Sequence, residues 1–332
     1  MSSRDRPFAK ALPLYVDEDD VGLAKIYAFD MKMILLVYAS HFQWMMGYPD
    51  RALRTKQTAD HWAAKINIPF MHVFAKIWGS AIFHYCGQLD DHRQQIEEAL
   101  DLSNQIGNPL FVKQADMWIA WNRTMIGDYS DANVTLFESA PAHYMDTGIA
   151  ALPYFSSLHA QALSGQGKTV QAIALLQVAT ERIEAIGEQS HAAEVHRIRA
   201  TILARGGAGS WKEAEQAYLT SLAISRRQGA KSWELRTATS YARLLKECGR
   251  AAEARELLQP ILRLPSLRRL LRQRLIALCW TKLNSSVRNA ASALFFCYPC
   301  ATQSTFWQSD FSAKCLKKLV AGAGFEPTTF RL

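Results

Sequence analysis

Few residues in this chain have types and spacing that suggest chemistry. Ala162-Leu163-Ser164-Gly165-Gln166-Gly167-Lys168-Thr169 fits the Ala-first form of a phosphate-binding loop. In such a loop backbone N–H groups cradle phosphates and the lysine meets the terminal ones. That loop follows a buried β-strand, but residues 154–163 read as helix. His191 and His196 have zinc-ligand types at the wrong spacing, because five residues apart they do not share a helix face. They are expected to lie at a partly exposed helix start. Cys297-Tyr298-Pro299-Cys300 is a CxxC whose only nearby companions, Cys279 and Cys315, are irregularly spaced. A zinc site wants a second pair, and a redox pair wants a βαβ setting. Glu97-Glu98 and Glu213/Glu215 read as solvated helix faces. No Ser/His/Asp arrangement stands out. The expectation is no catalytic residue, no metal and no cofactor, with nucleotide binding at Lys168-Thr169 kept as the alternative.

The elements that position these residues follow a glycine ladder. Gly47, Gly87, Gly127 and Gly167 are spaced by 40, and Gly209 and Gly249 follow after 42 and 40 more. A fixed period of this size marks a repeat array. Five residues after the ladder glycines stand Ala52, His92, Ala132, Ala172, Ala214 and Ala254. Nine after stand Lys56, Ile96, Leu136, Leu176, Tyr218 and Leu258, and twelve after, Ala59, Ala99, Ser139, Ala179 and Ser221. Seven before stand small residues such as Ser40, Ser80, Ala120, Ala160 and Ala242. Small residues on both flanks let two helices cross closely. A second break falls half a period later, at Asn67, Gly107, Gly148, Gly187 and Gly229. Glycine ends a helix in the left-handed cap position. The pattern predicts antiparallel helix pairs, and no stretch alternates with the period of two that a strand needs.

The bulk charge is deceptive. The chain has 332 residues and a formal charge of +8. Residues 263–332 hold 11 Lys/Arg against 2 Asp/Glu, leaving 27 basic and 28 acidic groups before them. A nucleic-acid surface should be a basic face of the folded part, so none is expected. The longest apolar stretch, residues 31–46, contains Lys32, His41 and Gln43 and is too short for a bilayer span. Single scattered cysteines and an N-terminus without a basic-then-apolar pattern lead to the expectation of a cytoplasmic protein.

The small residue before Gly, then Gly, Ala, a bulky residue and a small one resemble the tetratricopeptide repeat. Gly127-Asp128-Tyr129-Ser130-Asp131-Ala132 and Gly209-Ser210-Trp211-Lys212-Glu213-Ala214 look most like it. The period of 40 exceeds that family's usual length, so both helices of a pair should be longer. Gly47-Tyr48-Pro49-Asp50-Arg51-Ala52-Leu53, Ala193-Glu194-Val195-His196-Arg197 and residues 226–236 also look like the C-terminal repeat region of large bacterial adenylate/guanylate cyclase–ATPase type regulators. That likeness implies that this chain is the repeat arm of such a protein, without its catalytic parts.

The expected fold is an all-α, TPR-like α-solenoid: a right-handed superhelix of antiparallel helix pairs. Residues 1–20 form a lead-in, 21–262 the repeat domain and 263–332 a basic, Cys-containing tail. The tail abandons the ladder and ends in a string that resembles those of run-on reading frames, and it is expected to be disordered or a frameshift or read-through product. The resemblance implies a concave groove lined by the helices that precede each ladder glycine. Trp44, Tyr85, Trp121, Tyr154, Arg197 and Arg243 would contact a protein or peptide partner there, although large aromatics could equally fill the interior between layers. No nucleic acid or membrane partner is expected. Leu257, Leu258 and Ile261 would form an uncapped apolar end able to support a homodimer.

Overall fold

The computed structural model describes residue 26 and residues 30–138, 151–187 and 189–262. The chain divides into two units, 1–270 and 271–332, and every described residue lies in the first. The lead-in, Ser139, Gly148, the CxxC and the tail lie outside the described residues. Among the described residues all regular structure is helical. The first pair is α1 (Met31–Met45) and α2 (Pro49–Ile66). The second joins α3 (Pro69–Gly79) and α4 (Ala81–Cys86) to α5 (Leu89–Gln105). The third is α6 (Pro109–Met125) and α7 (Asp131–Glu138), and the fourth α8 (Leu152–Gly165) and α9 (Thr169–Ile186). The fifth is α10 (Ala192–Arg205) and α11 (Trp211–Gln228), with a 3-10 turn at Ala208–Ser210 between them. The sixth is α12 (Lys231–Glu247) and α13 (Ala251–Leu262).

The ladder glycines close the first helix of each pair. Gly87 has φ of +77° and Gly167 +82°, a region that costs a side-chain-bearing residue energy. The amide of Lys168 reaches back to the Leu163 carbonyl at 3.0 Å, and that of Gln88 to Phe83 at 2.9 Å. These are the six-to-one bonds of a Schellman motif, and they satisfy carbonyls that the helix leaves open. Asn67 fills the same left-handed role at the second break, with φ of +52°.

Two details of the expected ladder are corrected. The turn glycine of the fifth pair is Gly207, with φ of +88°, whereas Gly209 sits inside the 3-10 turn without a positive φ. Gly207 is 40 residues after Gly167, so the ladder keeps step there and the extra residues follow the turn. In the third pair Ala132 is exposed and Asn133 is buried in its place. One residue is gained at the turn, where the Ser130 hydroxyl accepts from the Asn133 amide at 3.3 Å and caps α7. The Asn133 amide nitrogen donates to the carbonyls of Ala120 and Asp128 and to the Thr124 hydroxyl, at 3.1, 2.9 and 3.1 Å.

The small–large–small beat is otherwise buried. Ala52, Ala59, Ile96, Ala99, Ala172, Leu176, Tyr218 and Ser221 are all interior, as are Ser40, Ser80, Ala120 and Ala160 on the facing helices. Lys56 is the odd member at a bulky position. It is buried, and its Nζ reaches Asp60 at 2.5 Å and Gln95 at 3.2 Å. Burial lowers its pKa and the Asp60 carboxylate works against that. At the end of the described chain Ile261 is buried and Leu257 and Leu258 half-buried, with α13 packed on α12.

Candidate functional site

The helices that precede the turn glycines converge on one inner face, and all six pairs contribute to it. Trp44 comes from α1, Tyr85 from α4, Trp121 from α6, Tyr154 from α8, Arg197 from α10 and Arg236 from α12. The ends of the array meet: the Ser232 hydroxyl of α12 donates to the Trp44 carbonyl at 2.5 Å. Trp44 stacks on Tyr85 at 4.7 Å and meets Trp233 edge-on at 4.6 Å. The Arg236 guanidinium lies over both Trp44 and Trp233, at 5.0 and 5.1 Å, a cation–π arrangement.

One half of this face is neutral. The Trp121 indole N–H donates to His84 Nδ1 at 2.7 Å, and His84 Nε2 lies 2.6 Å from the Tyr154 hydroxyl. With Nδ1 accepting, a neutral ring carries its proton on Nε2 and donates to Tyr154. Burial holds His84 well below its ordinary pKa, helped by His92, Arg236 and His191. Burial also pulls His41 down to about 4 against its bond to the Trp78 carbonyl, with His191 adding a smaller downward push. His92 is likewise pulled down to about 4 against its Asn122 bond. The His191 ring stacks on Tyr154 at 4.6 Å and its Nε2 lies 3.0 Å from the Tyr85 hydroxyl.

The other half is charged. Arg197 Nε and Nη2 grip the two Glu194 oxygens at 2.7 and 3.0 Å, and Arg236 Nη1 adds a third bond at 2.7 Å. Burial would raise the Glu194 carboxyl. The Arg197 and Arg236 guanidiniums overcome it and hold the carboxyl down at about 2. Arg236 Nη2 also donates to the Tyr85 carbonyl at 3.0 Å, tying this half to the neutral one.

The expected groove residues are thus brought together, but most are spent on each other. Trp44 is 0%, Tyr85 4%, Trp121 5% and Tyr154 2% exposed. They fill the space between the helices, and in this conformation they present no surface to a partner. Arg197 is half-buried and committed to Glu194, while Arg243 is exposed. The expectation for the His191–His196 stretch is corrected as well. His191 and Glu194 are buried because Arg236 and Trp233 of α12 close over them. Glu194, Trp118 and Trp233 are the residues that sequence reasoning missed. The only local signal for Glu194 was an acid three residues before an arginine, a spacing common on solvated helices.

The phosphate-loop reading fails on its amides. The N–H groups of Gln166, Gly167 and Lys168 are bonded to Ala162, Ser164 and Leu163 carbonyls, closing α8. The Lys168 ammonium pairs with Asp131 on the surface at 3.4 Å. A side chain at Gly165 would strike the Tyr129 ring at 2.2 Å, so that glycine serves helix packing. Among the described residues no cluster of His, Cys, Asp and Glu could hold a metal, and no helix is long and apolar enough to cross a membrane.

No family model matches the chain, and no curated protein matches its sequence. Its structure is similar to that of a Rap protein complexed with competence and sporulation factor, with a TM-score of 0.51 and 15% identity over 77% of this chain and 75% of that one. The described helices thus form a TPR-like helical repeat.

Proposed function

We propose that this chain is a non-catalytic interaction module that receives a protein or peptide segment at the exposed end of the inner face of its helical repeat. The observation that carries the reading is that all six first helices send distinctive side chains to one face. The buried Trp44–Tyr85–Tyr154 wall acts as backing, and the exposed end of α12 around Arg243 is the part open to a partner. The structural likeness to a repeat protein held with competence and sporulation factor supports the same use. A cytoplasmic regulatory arm of a bacterial cyclase- or ATPase-type signalling protein is the setting that the sequence resemblance favours.

The test is site-specific photo-crosslinking in the native cytoplasm. A photoreactive amino acid at Arg243 should capture a discrete adduct, and the same group at Val178, exposed on α9, should not. Equal capture at both positions would overturn the inner-face reading. Tight ATP binding lost on Lys168→Ala would favour the nucleotide alternative instead.

A further inference from the structure

At the open end of the inner face, α10, α11 and α12 pack together and build a small polar floor. Thr201 Oγ1 and the Tyr218 hydroxyl lie 3.0 Å apart, and Tyr218 stacks on Tyr241 at 5.5 Å. Arg197 Nη1 donates to the Ser240 hydroxyl at 3.3 Å. One turn beyond Ser240 on α12 stands Arg243, and Arg205 closes the last turn of α10. Arg197, Arg243 and Arg205 all act electrostatically on the Tyr218 hydroxyl.

The cations here outnumber the acids that could answer them. Glu194 is shared by Arg197 and Arg236. Glu215 is taken by Tyr241 and Arg250. Glu247 acts on Arg243 only at a distance, and less than Arg197 does. Among the described residues Arg243 makes no hydrogen bond and no ion pair. Partial coverage and the Arg197 charge both push its pKa down. Five N–H donors in a planar fork remain unspent, and that fork matches a carboxylate in two parallel bonds.

We infer that Arg243, with Arg197 nearby, anchors an acidic side chain of the peptide segment that the inner face receives. The anion supplies the charge that Glu194 cannot, since that carboxylate is fully occupied. This inference rests on the reading of the inner face as a partner surface and names the chemistry of the partner.

The experiment uses the full chain and three immobilised heptapeptide pools with the same Leu, Phe and Tyr positions. The remaining positions carry Asp/Glu, Lys/Arg or Ser/Asn. The acidic pool should be retained roughly tenfold or more above the basic one, the scale of a charge-assisted hydrogen-bonded pair, and retention should weaken with salt. Arg243→Glu should reverse the preference toward the basic pool, and Arg243→Gln should abolish it. Thermal unfolding of both variants controls for folding, and an exposed site predicts little change. If the neutral pool binds as well as the acidic one and Arg243→Glu changes nothing, the anion anchor is wrong while the inner-face reading stands. If no pool is retained, the inner-face reading falls and the anchor with it.

Discussion

Around His84 the inner face is neutral and aromatic, whereas around Glu194 it is ionic. In the first region one indole, one imidazole and one phenol are hydrogen-bonded in a chain. The second uses one carboxylate between two guanidiniums. Both are buried, but they answer burial differently. A histidine escapes the cost of a buried charge by staying neutral. An arginine cannot lose its proton, so it must be given a partner. The difference teaches where acid, truncation and ligands should each act.

Acid should produce the largest effect, and it should reach the neutral region first. A histidine in the unfolded chain titrates near 6.5, while His41 and His92 in the fold stay neutral down to about 4. The unfolded state therefore binds more protons between these values. Stability is complete above pH 6.5 and is lost as pH falls toward 4. Glu194 behaves later: its contribution is present above 4.5 and disappears only as pH falls toward 2. Thermal unfolding followed from pH 7.5 to 3.5 should show a Tm that drops mainly between 6.5 and 4. A Tm that holds until pH 4.5 would reverse the order of the two regions.

Glu194→Gln removes the carboxylate and leaves Arg197 and Arg236 facing each other in the interior. Loss of one partner of a buried ion pair costs about 3–5 kcal/mol, read from denaturant unfolding. Trp121→Phe deletes one N–H and leaves His84 Nδ1 without its donor. That should cost about 1–3 kcal/mol, smaller than the ionic truncation because both groups are neutral. If the two variants lose equal stability, the contrast between the regions is not electrostatic.

Smaller effects test the frame that carries both regions. Gly207→Ala forces a side chain into a left-handed turn and should cost about 1–2 kcal/mol, whereas Gly209→Ala should be nearly neutral. Lys168→Ala removes only an exposed ion pair with Asp131, worth about 0–1 kcal/mol, and should leave the Tm almost unchanged.

Much of the frame was legible in the sequence. Glycine at 40-residue spacing reports a left-handed cap, and small residues on either side report close crossings, because both requirements are local. The slip in the third pair was not legible: whether Ala132 or Asn133 faces inward depends on how many residues the turn takes up. The aromatic site residues were legible as members of one face. Their accessibility was not, because a repeat pattern states which way a side chain points and not what stands opposite. Trp44 is sealed by Tyr85 and Trp233, and Trp233 lies 189 residues away. Glu194 was invisible for the same reason, since half of its answer, Arg236, lies 42 residues along the chain.

By itself, then, the sequence determined the helix pairs, the turns between them and the inner face of each, all set by local backbone preference and helical periodicity. Only the tertiary structure decided that the two ends of the array meet and close over the aromatic residues, leaving Arg243 exposed at the open end of the face. Closure depends on the small angle added at each pair, which no single repeat encodes and which is fixed only when all the interfaces pack together.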